Sequence, residues 1–191
     1  MSESAGMKLQ PAVFLDRDGT VIEEVDYLSD PSLVRLVPGS GPAIKRLNDA
    51  GYCVVIATNQ SGIARGMLDE ATLELIHAEM TRQLDVHGAR IDLIEFCPHH
   101  PEYDGVETHR RKPEPGMLLE AAELLNIELE RSWMIGDAFR DIQAGVRAGA
   151  RTILVETGKG ARERATAEAS TEAPDHVSAD LPDAIDFLLK A

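Results

Sequence analysis

The feature that most constrains the fold of this chain is a regular alternation of short apolar runs with longer amphipathic ones. The apolar runs are four to six residues long. Such runs are typical of strands buried on both faces, and their alternation with helical patterns is typical of βα units in a parallel sheet. The predicted strands are AVFL (12–15), CVVIAT (53–58), IDLIEF (91–96), SWMIG (132–136) and RTILVE (151–156). The fold class is therefore predicted to be α/β, a three-layer, doubly wound parallel sheet.

The segments between these runs carry helix patterns. We predict helices at about 41–50, 69–87, 115–126 and 139–148, and a closing helix in AIDFLLK. Gly51 suits the position after a helix end, and Asp69 suits an N-cap. Residues 159–174 are rich in Ala, Glu and Thr and are expected to form a solvated surface segment. The length of 191 residues predicts one domain, 1–191.

Composition excludes several classes of partner. The formal net charge of −14 argues against nucleic acid and anionic membranes, which need a basic face. An anionic small molecule can bind only where local cations or a metal reverse the field. The polar N-terminus lacks the pattern of an export signal, and Cys53 and Cys97 lie in unlike surroundings that suggest no disulfide. We therefore expect a cytoplasmic protein, and a monomer.

Ligands of open parallel sheets bind beyond the carboxyl ends of the strands, so the residues that follow each strand are the informative ones. The first strand is followed by DRDGT, which contains Asp16 and Asp18. Two carboxylates with one residue between them can hold a divalent cation and leave an oxygen free to attack. A plain turn remains the alternative, because Asp and Gly favour turns for backbone reasons.

The next two strands are followed by groups suited to an anion. In TNQSG, Thr58 offers a hydroxyl, and Asn59, Gln60 and Ser61 offer backbone N–H groups and polar side chains. In RRKPEPGM, Lys112 precedes a predicted helix start, where a cation gains if it meets an anion that the helix end also attracts. The alternatives are a polar loop and a solvated basic turn.

The fourth strand is followed by GDAFRD, with Asp137 at the strand end and Asp141 at the start of a helix, where an N-cap is its alternative role. Neighbouring strand ends of a parallel sheet meet in space. We therefore predict that the aspartates of the first and fourth strands hold one cation, with Thr58 and Lys112 facing the anion that it binds.

Together, FLDRDGT, ATNQSGIARG, RKPEPGM and IGDAFRDIQAG make the chain resemble the haloacid dehalogenase (HAD) superfamily of phosphatases, from about Ala12 to Gly158. DRDGT, TNQSG, CPHHP and RKPEPGM are similar to the group of heptose bisphosphate and histidinol-phosphate phosphatases. The resemblance implies a Rossmann-like fold. Because the segments between the motifs are already used by loops and helices, we expect no separate cap domain.

This resemblance implies Mg²⁺-dependent hydrolysis of a phosphomonoester through an aspartyl phosphate. Asp16 is the implied nucleophile, Asp18 the acid and base, and Thr58 and Lys112 the ligands of the phosphoryl oxygens. The implied magnesium ligands are Asp16, the main-chain carbonyl of Asp18, and Asp137. The expected partner is a small phosphorylated sugar, with the 7-phosphate of a heptose 1,7-bisphosphate as the leading substrate. Histidinol phosphate or another small sugar phosphate remains an alternative, as does a non-catalytic phosphate-binding module.

Specificity is expected to come from short loops. By position in the resemblance, the loop after the first motif contacts the sugar, although ordinary loop packing is the alternative. The residues concerned are Glu24, Val25, Asp26 and Tyr27. Arg111 lies where the group has an arginine that recognises the substrate, and a guanidinium can hold a second phosphate through two parallel hydrogen bonds. Ala138 departs from the group, which often has Lys or a polar residue after the metal aspartate.

The loop CPHHPEYDGVETHRRKP resembles a structural zinc loop of this group only in part. A Cys-x-His pair is present as Cys97 and His99, but Thr108 and Arg110 occupy the places of the second, Cys-x-Cys pair. His109 or Glu107 is a substitute ligand if the register shifts by one residue, since zinc accepts N and O ligands as well as S. The interpretation we favour is a loop held by prolines and hydrogen bonds without zinc.

Overall fold

The computed structural model describes residues 9–191. The strands are β1 (Ala12–Leu15), β2 (Cys53–Asn59), β3 (Leu93–Cys97), β4 (Trp133–Gly136), β5 (Arg151–Val155) and β6 (His176–Ser178). The helices are α1 (Ser40–Asp49), α2 (Glu70–Asp85), α3 (Gly116–Leu125), α4 (Phe139–Ala148), α5 (Gly160–Glu168) and α6 (Leu181–Leu188). The predicted α/β class is confirmed.

All the strands form one parallel sheet in the order β3-β2-β1-β4-β5-β6. The chain enters at β1, in the middle, and builds first towards one edge and then, from β4 onwards, towards the other. The strand order thus reverses on either side of β1, and such a switch point opens a crevice at the carboxyl ends of the strands. Leu15, the last residue of β1, lies level with Ile56 of β2 and Ile135 of β4.

Two apolar layers cover the sheet, and the side chains of β1 alternate between them. Val13 and Leu15 join a buried cluster that includes Ile44 of α1, Ile76 of α2 and Ile185 of α6. On the opposite face, Ala12 and Phe14 pack with residues of α3, among them Leu118 and Ala121. This arrangement is the predicted three-layer architecture, in which burial of apolar surface on both faces is the main stabilising contribution.

Two details of the sheet differ from the sequence predictions. β3 was expected to be buried on both faces, but it is an edge strand and its residues 93–96 are only half-buried. β6 was not predicted, because three residues, HVS, are too short a run to stand out by composition. The expectation of a solvated surface segment at 159–174 agrees with its exposure, and α5 forms within it with Gly160 and Ala167 buried.

Within residues 9–191, the segments that join the strands form loops and the six helices, and no separate cap domain lies over the carboxyl edge. No helix of this described part is long and apolar enough to cross a membrane. Cys53 and Cys97 are both free. The expectation that the N-terminus lacks an export signal rests largely on residues 1–8, which lie outside the described part of the chain.

Candidate active site

Three adjacent strands bring acidic and hydroxyl side chains to one edge of the sheet. Asp16 directly follows β1, Thr58 lies near the end of β2, and Asp137 directly follows β4. All three residues are buried. The backbone N–H of Asp16 donates to the carbonyl of Ile135 at 2.9 Å, which fixes the strand end against β4. The predicted convergence of the strand ends is therefore what the fold produces.

Lys112 lies behind Asp16, with only 2% of its surface exposed. Its Nζ donates to Asp16 Oδ1 and to the Ala57 carbonyl, each at 2.7 Å, and is 2.7 Å from Asp141 Oδ1. Burial opposes the charge on Lys112, but Asp141 and Asp16 outweigh burial and raise its pKa. Burial likewise opposes the charge on Asp16, yet the attraction of Lys112 lowers the pKa of this carboxyl, so Asp16 stays ionised. The lysine thus holds Oδ1 of Asp16, whose carboxylate also lines the cavity described below.

Three carboxylates form a group with the chemistry of a divalent-cation site. Oxygens of Asp16, Asp137 and Asp141 come within 4.8 Å of one another. Asp137 Oδ2 accepts from the backbone N–H of Lys159 at 2.7 Å, whereas its buried Oδ1 has no hydrogen-bond partner among the described residues. Burial, together with the charges of Asp16 and Asp141, raises the pKa of Asp137 to about 8. A hard cation that prefers oxygen ligands would relieve both the repulsion and the unpaired oxygen.

Two glycines make room for Asp137. A Cβ atom added to Gly19 would lie 2.3 Å from Asp137 Oδ2, and one added to Gly158 would lie 2.1 Å from the same oxygen. Both glycines also have positive φ, at 79° and 54°, where other residues are strained. The glycine of DRDGT is therefore needed for space around the aspartate as well as for the turn.

Asp18 is held by an arginine that sequence reasoning missed. The Arg17 side chain is 1% exposed, and its Nη2 donates to Asp18 Oδ1 at 3.0 Å and to Oδ2 at 2.9 Å. Gln60 Nε2 donates to Asp18 Oδ2 at 2.9 Å and to Thr58 Oγ1 at 2.9 Å. The network fixes the orientation of the Asp18 carboxylate, which is still partly open to solvent. Gln60, predicted to contact substrate, therefore also positions Asp18.

The Asn59 side chain positions the backbone of Lys112, a role that the sequence did not predict. Its side-chain amide donates to the Lys112 carbonyl at 2.9 Å and accepts from the Lys112 backbone N–H at 3.1 Å. This two-way clamp ties the end of β2 to the segment that carries the lysine. The side-chain amide of Asn59 is therefore committed to positioning Lys112.

A cavity of about 260 Å³ opens above Asp16. Its lining includes every residue that we predicted for substrate recognition. These residues are Glu24, Val25, Asp26, Tyr27, Asn59, Gln60, Ser61 and Arg111. Arg111 is half-buried there, and its Nη1 donates to the His99 carbonyl at 3.1 Å, which turns the guanidinium along the pocket wall.

Three cations of the pocket were missed by sequence reasoning. Arg65 lies over the rings of Tyr27 and Tyr103, at 5.0 and 3.8 Å from their centroids. Lys159 pairs with Glu24 at 2.7 Å, and Arg140 lines the wall beside them. Lys159 follows β5, so the rule that residues after strand ends form the site would have found it if applied to a fifth strand. The same rule covers Arg140, which follows β4 at the same distance, but Arg65 lies further from its strand and carries no comparable signal.

Comparisons with known proteins agree with this geometry. The HAD-hydrolase-like family model matches residues 109–184. The D-glycero-beta-D-manno-heptose-1,7-bisphosphate 7-phosphatase of Salmonella typhi is 40% identical over 186 residues, covering 93% of this chain and 96% of that protein. The enzyme of the same name from Rhodopseudomonas palustris is 43% identical over 150 residues, covering 76% of this chain and 83% of its own.

Solved structures agree as well. The D,D-heptose 1,7-bisphosphate phosphatase of B. bronchiseptica, crystallised with magnesium and phosphate, superposes with a TM-score of 0.86 at 40% identity. The superposition covers 95% of this chain and 99% of that one. The chain belongs to the heptose bisphosphate phosphatase family of the HAD superfamily. It is a phosphatase.

Phosphatases of the HAD superfamily typically use Mg²⁺, and the aspartate group fits that ion. It offers carboxylate oxygens, one of them unpaired, in a buried cluster of like charge. Asp141 belongs to this group, although its sequence context also allowed a plain helix N-cap. Asp141 lies in the first turn of α4, where Oδ2 accepts from the Ala138 N–H at 3.0 Å while Oδ1 faces Lys112.

The family's zinc loop does not fit zinc in this chain. Cys97 is fully buried among apolar side chains, and burial raises the pKa of its thiol, whereas zinc binds the thiolate. His99 Nδ1 lies 2.8 Å from Asp104 Oδ2, and His109 Nε2 lies 2.8 Å from Glu120 Oε1. Between residues 9 and 191, the one group of three or more candidate ligands within 4.8 Å of one another is the aspartate group.

Arg110 occupies the place of a missing zinc ligand and ties the loop down instead. Its guanidinium pairs with Glu95 on β3 and with Glu120 on α3, and it also donates to the Phe96 carbonyl at 3.3 Å. An arginine that bridges two carboxylates from different elements does the cross-linking that a metal would do. These contacts support the interpretation that hydrogen bonds and ion pairs hold this loop.

Proposed function

We propose that this phosphatase removes the 7-phosphate of D-glycero-D-manno-heptose 1,7-bisphosphate, with Mg²⁺ as cofactor. The observation that carries the proposal is the pairing of Asp16 with buried Lys112 beneath a pocket whose wall holds Arg111. Relatives at 40–43% identity that are named for this reaction support the choice of substrate.

In the first step, Asp16 Oδ2 attacks phosphorus, and the bond between phosphorus and the ester oxygen breaks. Lys112 holds Oδ1 at 2.7 Å and so orients the carboxylate for attack through its other oxygen. Thr58 and the loop after β2 receive the phosphoryl oxygens. The product is an aspartyl phosphate, and dividing hydrolysis into two transfers lowers the barrier of each.

Asp18 moves the protons of both steps. Its protonated carboxyl gives a proton to the leaving sugar oxygen, and the resulting carboxylate then takes a proton from the water that attacks the aspartyl phosphate. Phosphate leaves and Asp16 is regenerated. Arg17 and Gln60 keep Asp18 aimed at the pocket throughout, because they bond to its oxygens from the buried side.

Asp16, Asp137 and the main-chain carbonyl of Asp18 would hold Mg²⁺, with Asp141 within reach of the same site. The ion supplies positive charge that offsets the carboxylates and the phosphoryl oxygens together. With Lys112 it provides the local reversal of sign that a protein of net charge −14 needs to bind a sugar bisphosphate.

Histidinol phosphate is the second candidate that the sequence left open, and the pocket disfavours it. Histidinol phosphate has one phosphate and carries an ammonium group. The pocket wall beyond Asp16 presents the guanidinium groups of Arg65, Arg111 and Arg140, which repel a cation and attract a second anion. The charge of the wall therefore favours a bisphosphate.

The test is phosphate release from heptose 1,7-bisphosphate, heptose 7-phosphate, fructose 1,6-bisphosphate and histidinol phosphate, each with and without Mg²⁺. We expect the highest kcat/KM for the heptose bisphosphate and little release without Mg²⁺. Faster turnover of histidinol phosphate would refute the substrate assignment, and equal rates without a divalent ion would refute the cofactor.

Variants assign the roles. Asp16→Asn should lower kcat on the order of 10³-fold or more, because the nucleophile is lost. Lys112→Met should lower it on the order of 10²-fold. Asp49→Asn, on the exposed end of α1, is the matched control and should retain the activity of the unmodified protein. Substantial activity in Asp16→Asn would rule out the aspartyl phosphate.

We also propose that the enzyme acts as a monomer in the cytoplasm. The free cysteines fit a reducing compartment, in which thiols do not become cross-linked. Light scattering coupled to gel filtration should give a mass near the 20.8 kDa of one chain. A mass twice as large would contradict the monomer.

A further inference from the structure

Arg140 is a cation of the pocket whose charge has no fixed partner. It lies in the first turn of α4, two residues after Ala138, and its side chain lines the cavity. Its buried Nε has no hydrogen-bond partner, and no carboxylate within the described chain pairs with it at ion-pair distance. A buried donor left unpaired is costly, so its persistence in a binding pocket points to a missing acceptor.

The other cations of the pocket differ in how many of their donors have a fixed partner. Lys112 is paired with Asp16 and Asp141, and Lys159 is paired with Glu24. Arg65 lies between the rings of two tyrosines. Arg111 donates one side-chain hydrogen bond, from Nη1 to the His99 carbonyl, and its remaining N–H groups have no partner among the described residues. Arg65 Nε is likewise buried without a hydrogen-bond partner, but its guanidinium packs on two tyrosine rings. Among the described residues, Arg111 and Arg140 are thus the two guanidinium groups of the wall that have donors to spare and no aromatic contact.

These two arginines repel each other. Burial, followed by the charge of Arg140, lowers the pKa of Arg111. Arg140 itself stays charged, because a guanidinium does not lose its proton in proteins. An anion between two guanidinium groups that face one cavity relieves their repulsion, and a phosphate can accept hydrogen bonds from both.

We propose that Arg140 and Arg111 together bind the phosphate that is not hydrolysed, so that Arg140 determines the preference for bisphosphates over monophosphates. The inference rests on the proposed function and names the residue behind its substrate class. The Ala138 side chain, directly after Asp137, has no polar atom that could contact a phosphate. Arg140, two residues further along the chain, places a guanidinium in the pocket lining.

The test compares Arg140→Gln with Arg147→Gln, on a bisphosphate and its matched monophosphate. Arg147 lies on the same helix but pairs with Glu114 and Glu172 outside the pocket, so it controls for loss of charge on α4. The pairs are heptose 1,7-bisphosphate with heptose 7-phosphate, and fructose 1,6-bisphosphate with fructose 6-phosphate. The measured quantity is the ratio of kcat/KM for the bisphosphate to kcat/KM for the monophosphate.

We expect Arg140→Gln to lower this ratio about tenfold or more, mainly through KM, which corresponds to about 1.4 kcal/mol of lost selectivity. Arg140→Lys should recover part of the ratio, because an ammonium keeps the charge without the two-pronged geometry. Arg147→Gln should leave the ratio unchanged. Thermal melting of each variant checks that the fold is retained.

An unchanged ratio in Arg140→Gln overturns the inference. An equal loss of kcat on both members of a pair also overturns it, because Arg140 would then contact the phosphoryl group that is transferred. Either result leaves the proposed function standing as long as the unmodified enzyme hydrolyses the heptose bisphosphate. Failure of the unmodified enzyme on every bisphosphate refutes the proposed function and the inference together.

Discussion

Asp137 lies where burial and two neighbouring carboxylates all oppose a negative charge on its side chain. Its pKa is raised to about 8, and one of its oxygens has no partner among the described residues. We therefore expect Asp137→Asn to raise the melting temperature of the metal-free protein, by about 2–4 °C for each kcal/mol relieved. The same change should abolish the increase in melting temperature that Mg²⁺ gives the unmodified protein, since a metal ligand is lost.

Differential scanning fluorimetry in chelator and in Mg²⁺ measures both effects. Asp49→Asn is the matched control, because Asp49 is exposed and, among residues 9–191, forms an ion pair with Lys45 alone. It should change neither melting temperature by more than a degree or so. If Asp137→Asn melts below the unmodified protein in chelator, the aspartate group is not held in the repulsive arrangement described above.

At the scale of residues, the sequence predicted those site residues that lie directly at the carboxyl ends of strands. Asp16, Thr58 and Asp137 were predicted because each lies at a strand end, and the strand ends of a parallel sheet meet. Arg17 was not predicted, because a single sequence does not distinguish a buried arginine that orients Asp18 from an exposed one. Arg140 was missed for the same reason, since its importance depends on the absence of a partner in three dimensions.

At the scale of elements, long periodic segments were predictable and short ones were not. The prediction of a helix at 139–148 matches α4, whose apolar face packs on the sheet with Ile142 fully buried. α5 has no strong apolar face, because little of it is buried beyond Gly160 and Ala167. α5 lies on the surface, where helix propensity rather than packing of an apolar face favours the helix. Its sequence pattern therefore resembles that of a solvated loop.

The contacts of the loop from Cys97 to Arg110 predict that the purified protein contains little zinc. Because Arg110 bridges Glu95 and Glu120, the protein purified without added zinc should contain far less than one zinc per chain. A zinc-selective chelator, added with Mg²⁺ present, should leave its melting temperature unchanged. Arg110→Met should lower the melting temperature by about 2–4 °C, since the partly buried bridge contributes about 1 kcal/mol.

Arg131→Met is the control for this loop, because Arg131 forms an exposed pair with Glu128 and crosslinks no second element. Its melting temperature should stay within about a degree of that of the unmodified protein. Zinc at one ion per chain by elemental analysis would show that the loop has a metal site after all, and would make Arg110 a neighbour of that site.

The contribution of His77, on α2, to the stability of the protein depends on pH. It is buried, and its Nε2 lies 3.1 Å from Arg17 Nη1, which can donate only to the neutral ring. Burial, followed by the charge of Arg17, lowers the pKa of His77 to about 3. Its contribution to stability is therefore complete above the ordinary value of about 6.5 and is lost as pH falls towards 3, at up to about 1.4 kcal/mol per pH unit.

Urea unfolding between pH 7 and pH 5 measures this slope. His77→Gln keeps an acceptor for Arg17 and removes the titrating ring, so the free energy of unfolding should fall less steeply over that range. His109→Gln replaces an exposed histidine and should keep the steep slope. Equal slopes in all three proteins would show that His77 is not the group that loses stability in mild acid.

At the scale of the whole molecule, 33 acidic residues against 19 basic ones predict a surface that repels anions, yet the substrate is an anion. The fold resolves this by gathering cations at one edge of one sheet. Arg111 comes from the loop before α3, Arg140 from α4 and Lys159 from the loop after β5, so three separate segments supply the charge. The net charge of the sequence carried no information about this local reversal of sign.

The same sheet makes a prediction about cooperativity. Trp133, the one tryptophan in the sequence, lies in β4 between the two halves of the sheet and is 2% exposed. If residues 9–191 form one domain, tryptophan fluorescence and far-UV circular dichroism should report the same thermal midpoint, because the core around Trp133 and the helices unfold together. Mg²⁺ with phosphate should raise both midpoints by the same amount, since binding stabilises the whole folded state. A fluorescence transition that precedes the loss of helix signal would divide the chain into two units and contradict the single domain.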